Sequence, residues 1–572
     1  MSGDVLVYEM ASASEGSASI FVKKDWLSIL DNQAGNYRSN QSVIDTSQLA
    51  NSNKYMNYRE AYLAVPMVAT LTGVPLTGPA TGATSMDYAM GLKNWFGSVI
   101  HSFTLDISGT TIIQQTPYCG LWNTFKLMTS LSWDDVSTIG ASIGFYPDDA
   151  LAVDFFTNAG SDGLGTCNNQ DFISIPVVSG ALNSYNVGNE GFLRRQQYIN
   201  YDPAGLSAPG AATYQTFGLT AAACNNLYKS YISTKTNPAL AGTNPGVLQI
   251  SIMAQIQLKH LHSFFQSVPL LKGVFMKATL NLNQPQITLD VGAGPTLSVT
   301  SVNSPLGGVN PLMIASARGN NGSSSMVNGG AGGNNVYASL FVGNTCYWTQ
   351  QTTDGAPANT AFTNSITLNV PAYTFNPVYE QAYLSQPVKR IVYTDIYQYQ
   401  VLNVAAGAQF NQLITNGIAG IKSVLVLPFF TASANGTNGV DPILSPFDPA
   451  GGGPTSPLCL LNNFNVVVSG QNMIYNSEKY SYEQFLNQLY GCGSVNAGLT
   501  DGLTSGFIDQ LNFDTEYNYY WVNCGRMLPV EEPVPKSVSI IGTNQSAKAL
   551  NFYVFVEYGV EIAIDVLSGA RV

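Results

Sequence analysis

Charge is scarce in this sequence. Only 10% of its 572 residues are Asp, Glu, Lys or Arg, against about 25% in typical soluble domains. Yet 45% are hydrophobic and 11% aromatic, so the scarcity does not signal disorder. A disordered chain lacks the apolar surface needed to offset chain entropy. Gly, Asn, Ser, Thr and Gln dominate the remainder. Such a balance suits a protein whose sides are covered by neighbours, because charged groups are costly to desolvate at an interface core. An extracellular β-protein would show the same balance.

Other absences narrow the classes further. With 23 cations against 35 anions the net charge is −12, which argues against a chain that coats nucleic acid by itself, since phosphate binding needs clustered Lys and Arg. The doublets Lys23-Lys24, Arg194-Arg195 and Lys389-Arg390 stand apart and read as solvated or interface charges. The opening Met1-Ser2-Gly3-Asp4-Val5-Leu6-Val7-Tyr8-Glu9 has neither the basic stretch nor the apolar run of a secretory signal. No apolar run approaches the ~18 residues of a membrane span. The cysteines at 119, 167, 224, 346, 459, 492 and 524 are odd in number, far apart and without a Cys-x-x-Cys, which reads as thiols made in a reducing compartment. No Gly-x-x-x-x-Gly-Lys-Ser/Thr phosphate loop occurs among the glycines.

What is present is mostly strand. From Phe552 to Leu567 every even position is apolar through Val566, while the odd ones include Glu557, Gly559, Glu561 and Asp565. This period-two alternation predicts a half-buried strand roughly 50 Å long. Ala61–Thr70, Phe103–Ile107, Leu248–Gln257, Gly273–Leu282, Val388–Tyr399, Ser423–Phe430 and Phe464–Val468 are further strand candidates. Helical spacing is short and rare. Phe410, Leu413 and Ile414 fit one helical face before Asn416-Gly417. Tyr482, Phe485, Leu486 and Leu489 make a second set, and Leu258, Leu261, Phe264 and Phe265 a third before Pro269. Many strands with one- to three-turn helices predict an all-β sandwich architecture, and the length calls for more than one core.

An internal repeat sharpens this. Phe103-Thr-Leu-Asp-Ile-Ser108-Gly109-Thr-Thr-Ile-Ile113 and Phe464-Asn-Val-Val-Val-Ser469-Gly470-Gln-Asn-Met-Ile474 both read strand, Ser-Gly turn, strand, at one offset (464 − 103 and 474 − 113 both give 361). Tyr118 and Phe125 follow the first copy as Tyr480 and Phe485 follow the second. Upstream, Tyr62–Pro66 mirrors Val424–Pro428, and Phe21–Asp25 mirrors Ile391–Asp395. The order is the same throughout, which indicates a duplicated fold. The first copy is the longer, with its excess in Gly160–Gly180, Pro203–Gly246 and Pro285–Ser365, including the Gly/Asn/Ser-rich stretch Gly319–Asn335.

No catalytic constellation emerges. Only three histidines exist. His260 and His262 are two apart without further ligands nearby, and His101 stands alone, so neither a zinc set nor a Ser/His/Asp triad is predicted. The carboxylate pairs Asp134-Asp135, Asp148-Asp149 and Glu531-Glu532 could in principle serve a glycosidase, but turns and solvated loops explain them more simply. Tyr517, Tyr519, Tyr520 and Trp521 could stack on sugars or bases, but core or interface packing is the commoner role for such residues.

Three blocks carry a family resemblance. The first runs Tyr379-Glu-Gln-Ala-Tyr-Leu-Ser-Gln-Pro387 to Asp395, through Phe410–Gly417, to Leu425-Val-Leu-Pro428-Phe. The second is Phe464–Phe485, and the third joins Asn189–Arg195 with Leu258–Gly273. Together they resemble the major capsid proteins of polinton-like viruses, virophages and related double-stranded DNA viruses of eukaryotes, within the double jelly-roll lineage that includes adenovirus hexon. The resemblance implies two tandem eight-stranded antiparallel jelly rolls, with short helices and long insertions in the first. It implies an N-terminal arm over 1–17, a first roll over 18–383 with tower loops including 285–365, and a second over 384–572. It further implies a homotrimer of pseudo-hexagonal outline, trimer–trimer contacts, penton and minor or cement partners, inward-facing termini and residence in the virion. It brings no catalytic residue, cofactor or metal, and no sequence-specific nucleic-acid binding. An extracellular adhesin or carbohydrate-binding sandwich is the alternative reading, and a polysaccharide hydrolase the third.

Overall fold

The computed structural model describes residues 20–75, 88–148, 166–168, 190–199, 230–236, 245–291, 296–316, 335–343, 365–431, 440–475, 479–490, 506–525 and 530–572, apart from positions 36, 38, 50, 51, 196 and 447. Sixteen of its strands build two like sandwiches. In the first they are β1 (Phe21–Leu30), β2 (Gln41–Asp45), β3 (Tyr62–Pro75), β4 (Ile100–Ile107), β5 (Thr110–Ile113), β6 (Pro245–Gln257), β7 (Met276–Leu282) and β8 (Thr367–Phe375). In the second they are β9 (Val388–Val404), β10 (Gln409–Ile418), β11 (Ile421–Phe430), β12 (Leu461–Val468), β13 (Gln471–Asn472), β14 (Tyr520–Asn523), β15 (Lys536–Asn544) and β16 (Leu550–Asp565).

The second sandwich pairs β9-β16-β11-β14 in one sheet and β10-β15-β12-β13 in the other. The first pairs β1-β8-β3-β6 and β2-β7-β4-β5, the same order eight strands earlier. All these pairs are antiparallel. Two four-stranded sheets between which the chain alternates, save for one hairpin within a layer, are a jelly roll. The chain therefore contains two, as the repeat predicts. The repeated Ser-Gly turns are the β4–β5 and β12–β13 hairpins. Ser108 and Gly109 have φ of 48° and 82°, and Ser469 and Gly470 have 49° and 83°. Positive φ at both central positions is the two-residue turn whose twist matches the flanking strands.

The long excursions of the first roll fall between β3 and β4, β5 and β6, and β7 and β8. All three leave from the end opposite the Ser-Gly hairpins. Strand Asn335–Val342 adds to the upper half of β3, and strands Gln286–Val291 and Thr296–Asn303 continue from it, so that this sheet reaches eleven strands. The expected tower stretch 285–365 includes these strands; its 292–295, 317–334 and 344–364, and the expected arm 1–17, lie outside the described residues.

Two sequence expectations need correction. Phe410–Gly417 is not helical but lies in β10, paired with β15. The pairing shifts register between Leu413 and Thr415 and again before Ile418. Phe410 and Ile414, four apart, lie on the inner side of the strand and Leu413 on the outer, so an apolar residue on each face mimics the three- and four-residue spacing of a helix. The set from Leu258 is two short helices, Leu258–Leu261 and Phe264–Ser267, broken at His262. The helix predicted at Tyr482 forms over Tyr482–Tyr490.

Candidate functional site

The chemistry of this chain concentrates where its two rolls meet. After β5 the chain enters α1 (Cys119–Ser130), whose Leu121, Trp122, Phe125 and Leu127 are buried. Trp122 packs 6.1 Å from Phe555 and Tyr118 4.9 Å from Tyr553, both on the outer side of β16. Lys126 lies over the Trp122 ring and 3.7 Å from Glu557. The first roll thus covers part of the outer sheet face of the second. The β16 strand predicted to be half-buried is consequently buried on both faces from Phe552 to Glu557.

The neighbouring edge of β9 is also sealed. Its backbone at Thr394 exchanges hydrogen bonds with the Ser263 hydroxyl, which donates to Thr394 O at 2.5 Å and accepts from Thr394 N at 3.0 Å. The Thr116 hydroxyl donates to Ile396 O at 3.0 Å, and Tyr393 Oη donates to Ile112 O at 2.8 Å. An unpaired strand edge invites foreign pairing, and here side chains of the sister roll satisfy it.

A cavity of about 470 Å³ opens at this seam, lined by Trp122, Lys126, Lys259, His260, His262 and Glu557 among others. The two histidines named from sequence stand there but do not converge on a metal. His262 accepts from Phe264 N at 3.1 Å through Nδ1, and its Nε2 lies 3.3 Å from Asp395 across the seam. Burial pushes His260 down to about 4, aided by Lys259. His101 is elsewhere, edge-on to Tyr118 at 5.0 Å, and burial pushes it down to about 4 as well. Among the described residues no three His, Cys, Asp or Glu side chains gather as metal ligands.

The carboxylate pairs take unrelated places. Asp134 and Asp135 sit in the first turn of α2 (Trp133–Ile143), where Asp135 closes a capping box with Ser132. Asp148 is buried with Arg195, and its Oδ2 accepts from Asn94 N at 2.9 Å; Asp149 lies outside the described residues. Glu531 and Glu532 are exposed. Tyr517, Tyr519, Tyr520 and Trp521 are core rather than a stacking platform: Tyr517 Oη donates to Asp148 O at 2.9 Å and Tyr520 Oη to Cys459 O at 3.1 Å.

Arg195 departs from its expected role as a solvated or interface charge. It is buried, donating to Asp148, Tyr146 O and, at 2.6 Å, Leu92 O. Beside it lies a residue that sequence reasoning missed. Lys93 is fully buried at the end opposite the hairpins, donating to Ala450 O at 3.2 Å and Pro442 O at 3.4 Å of the second roll. Burial pushes its amine down to about 8 against the pull of Asp448 and Asp148. Nothing in Gly91-Leu-Lys93-Asn-Trp95 marks it, because its partners are hundreds of residues away. Cys119, Cys459 and Cys524 are buried thiols.

The outer side of the first roll's edge strand is open. On β1, Val22, Lys24, Trp26, Ser28 and Leu30 all point outward and are exposed. Pairing to β8 uses one edge of β1, and among the described residues no strand occupies the other.

No family model matches this chain, and no curated protein does. Solved structures do. The cryo-EM structure of the Sputnik virophage aligns at TM-score 0.47 and 10% identity, over 96% of this chain and 88% of that one. The mavirus major capsid protein aligns at 0.38 and 9%, over 96% and 89%. The faustovirus major capsid protein aligns at 0.39 and 9%, over 94% and 90%.

Proposed function

We propose that this chain is a major capsid protein that self-assembles into pseudo-hexagonal trimers, which tile the icosahedral shell of a double-stranded DNA virus. The carrying observation is the pair of complete jelly rolls in parallel, side by side in one chain. Three such chains about a threefold axis set six like sandwiches in a ring, and heterologous contacts between rings extend to a shell. The sparse charge and the bare outer face of β1 support burial by neighbours, because charges are depleted where interfaces close. The excursions all leave one end, which keeps the flanks short enough to pack.

On this reading residues 1–17 form an arm, 18–383 the first roll and 384–572 the second, and 285–365 contributes to an outward tower. Penton and minor or cement proteins are the further partners, the virion is the location, and the chain's work is assembly rather than turnover. Light scattering of the purified chain, followed by electron microscopy, tests this. Trimers and, at high concentration, sheets or shells are expected; a permanent monomer overturns the proposal. Limited proteolysis of particles tests the tower: cleavage within 317–364 is expected before cleavage at the C-terminus.

A further inference from the structure

We propose that residues 1–19 dock back onto their own chain, in a cationic groove that runs from the start of β1 to the seam between the two rolls. This goes beyond the assembly reading and does not depend on it.

The groove is built from two cavities that share a wall. The seam cavity of about 470 Å³ and a second of about 310 Å³ are both lined by Lys259 and Gln266. The second adds Asn57, Arg59, Glu60 and Phe265. Each volume falls within the about 300–1,000 Å³ of ligand pockets. The cations here are not all paired. Lys126 leans toward Glu557 at 3.7 Å, and Glu60 accepts from Lys24 at 2.7 Å. Arg59 and Lys259 are exposed and, among the described residues, make no ion pair. Apolar walls stand beside these charges, in Trp122, Leu131 and Phe265. Unpaired cations next to apolar walls fit an acidic, partly apolar guest.

Residues 1–19 have that character and begin in the right place. They carry Asp4, Glu9 and Glu15 but no Lys, Arg or His, and Val5-Leu6-Val7-Tyr8 is an apolar run. They join the described chain at Ile20, whose carbonyl accepts from Asn376 N at 3.0 Å. Lys24, a few residues on, already touches Glu60 on the groove wall. An extended segment of this length spans up to ~60 Å, ample for two adjoining cavities. The order of charges also agrees. Moving away from β1, the segment offers Glu15, Glu9 and then Asp4. The groove offers Arg59 in the second cavity, Lys259 in both and Lys126 at the seam. Glu15 is therefore assigned to Arg59 and Glu9 to Lys259, with Val5–Tyr8 against Trp122 and Leu131. Opposite charges in matching order fix the register of such a contact.

Hydrogen–deuterium exchange of the full chain at low salt, read by mass spectrometry, tests this. Val5–Tyr8 is expected to exchange about ten-fold more slowly in the wild type than in R59E/K259E, which reverses two exposed charges. D4K/E9K/E15K, altered only outside the described cores, is expected to lose the same protection. Combining both sets of substitutions restores opposite charges and is expected to recover most of it. Exchange in β16 stays unchanged throughout if the segment undocks without unfolding. Equal exchange of Val5–Tyr8 in the wild type and in D4K/E9K/E15K, once corrected for intrinsic rates, overturns the inference. So does a combined variant that stays unprotected. Carbodiimide coupling of Glu9 to Lys259, in isotope-labelled and unlabelled chains assembled together, identifies whose segment fills the groove. Coupling within one chain is expected; coupling only between chains gives the groove to a neighbour's segment and overturns docking in the same chain. These readouts are local, so the assembly reading stands or falls separately, by light scattering.

Discussion

Gly109 and Gly470 sit at positive φ with open space where a Cβ would point. Any cost of a side chain there is therefore conformational and not steric crowding by neighbours. Gly470→Val is expected to destabilise by about 1–2 kcal/mol, the usual penalty for an L-residue in the left-handed region. Ser469→Asn, which tolerates that region better, should be neutral or slightly stabilising. Urea unfolding measures both. The histidines give a second test at this scale. His101 and His260 are held to about 4 by burial, against an ordinary 6.5. Below pH 6.5 the unfolded chain takes up protons that the folded one refuses, so stability falls as pH drops from 6.5 toward 4. His260→Gln should shrink the drop in melting temperature between pH 7 and pH 4.5; an unchanged drop counts against a buried neutral His260.

Strand β10 shows how an element can mimic another. Phe410, Leu413 and Ile414 stand at helical intervals in it, yet Leu413 is 49% exposed and Ile414 buried. On a helix both would pack beside Phe410, three and four residues away. Ile414→Ala is expected to cost about 2–4 kcal/mol through the cavity it leaves. Leu413→Thr should stay within about 0.5 kcal/mol, as is usual for surface changes. Equal effects of the two substitutions would contradict the strand.

The two rolls share their seam at both ends. Near the hairpins Ser263, Thr116 and α1 close on β9 and β16, and at the far end Lys93 reaches Pro442 and Ala450. Neither roll keeps its burial if the other unfolds. Calorimetry should therefore show one cooperative transition for the described cores, and two well-separated transitions would refute the coupling.

Much of this was written locally. The alternation in β16, the paired Ser-Gly turns and the recurring Phe, Tyr and Phe of each copy determined the strands and their duplication, because backbone period and turn chemistry act over a few residues. Tertiary structure alone decided what each face meets. Tyr553 and Phe555 look like the solvent side of a strand until Tyr118 and Trp122 cover them, and Lys93 looks like a surface lysine until the second roll closes over it. Periodicity says which side of a strand is apolar, but burial is a contact between segments far apart in the chain.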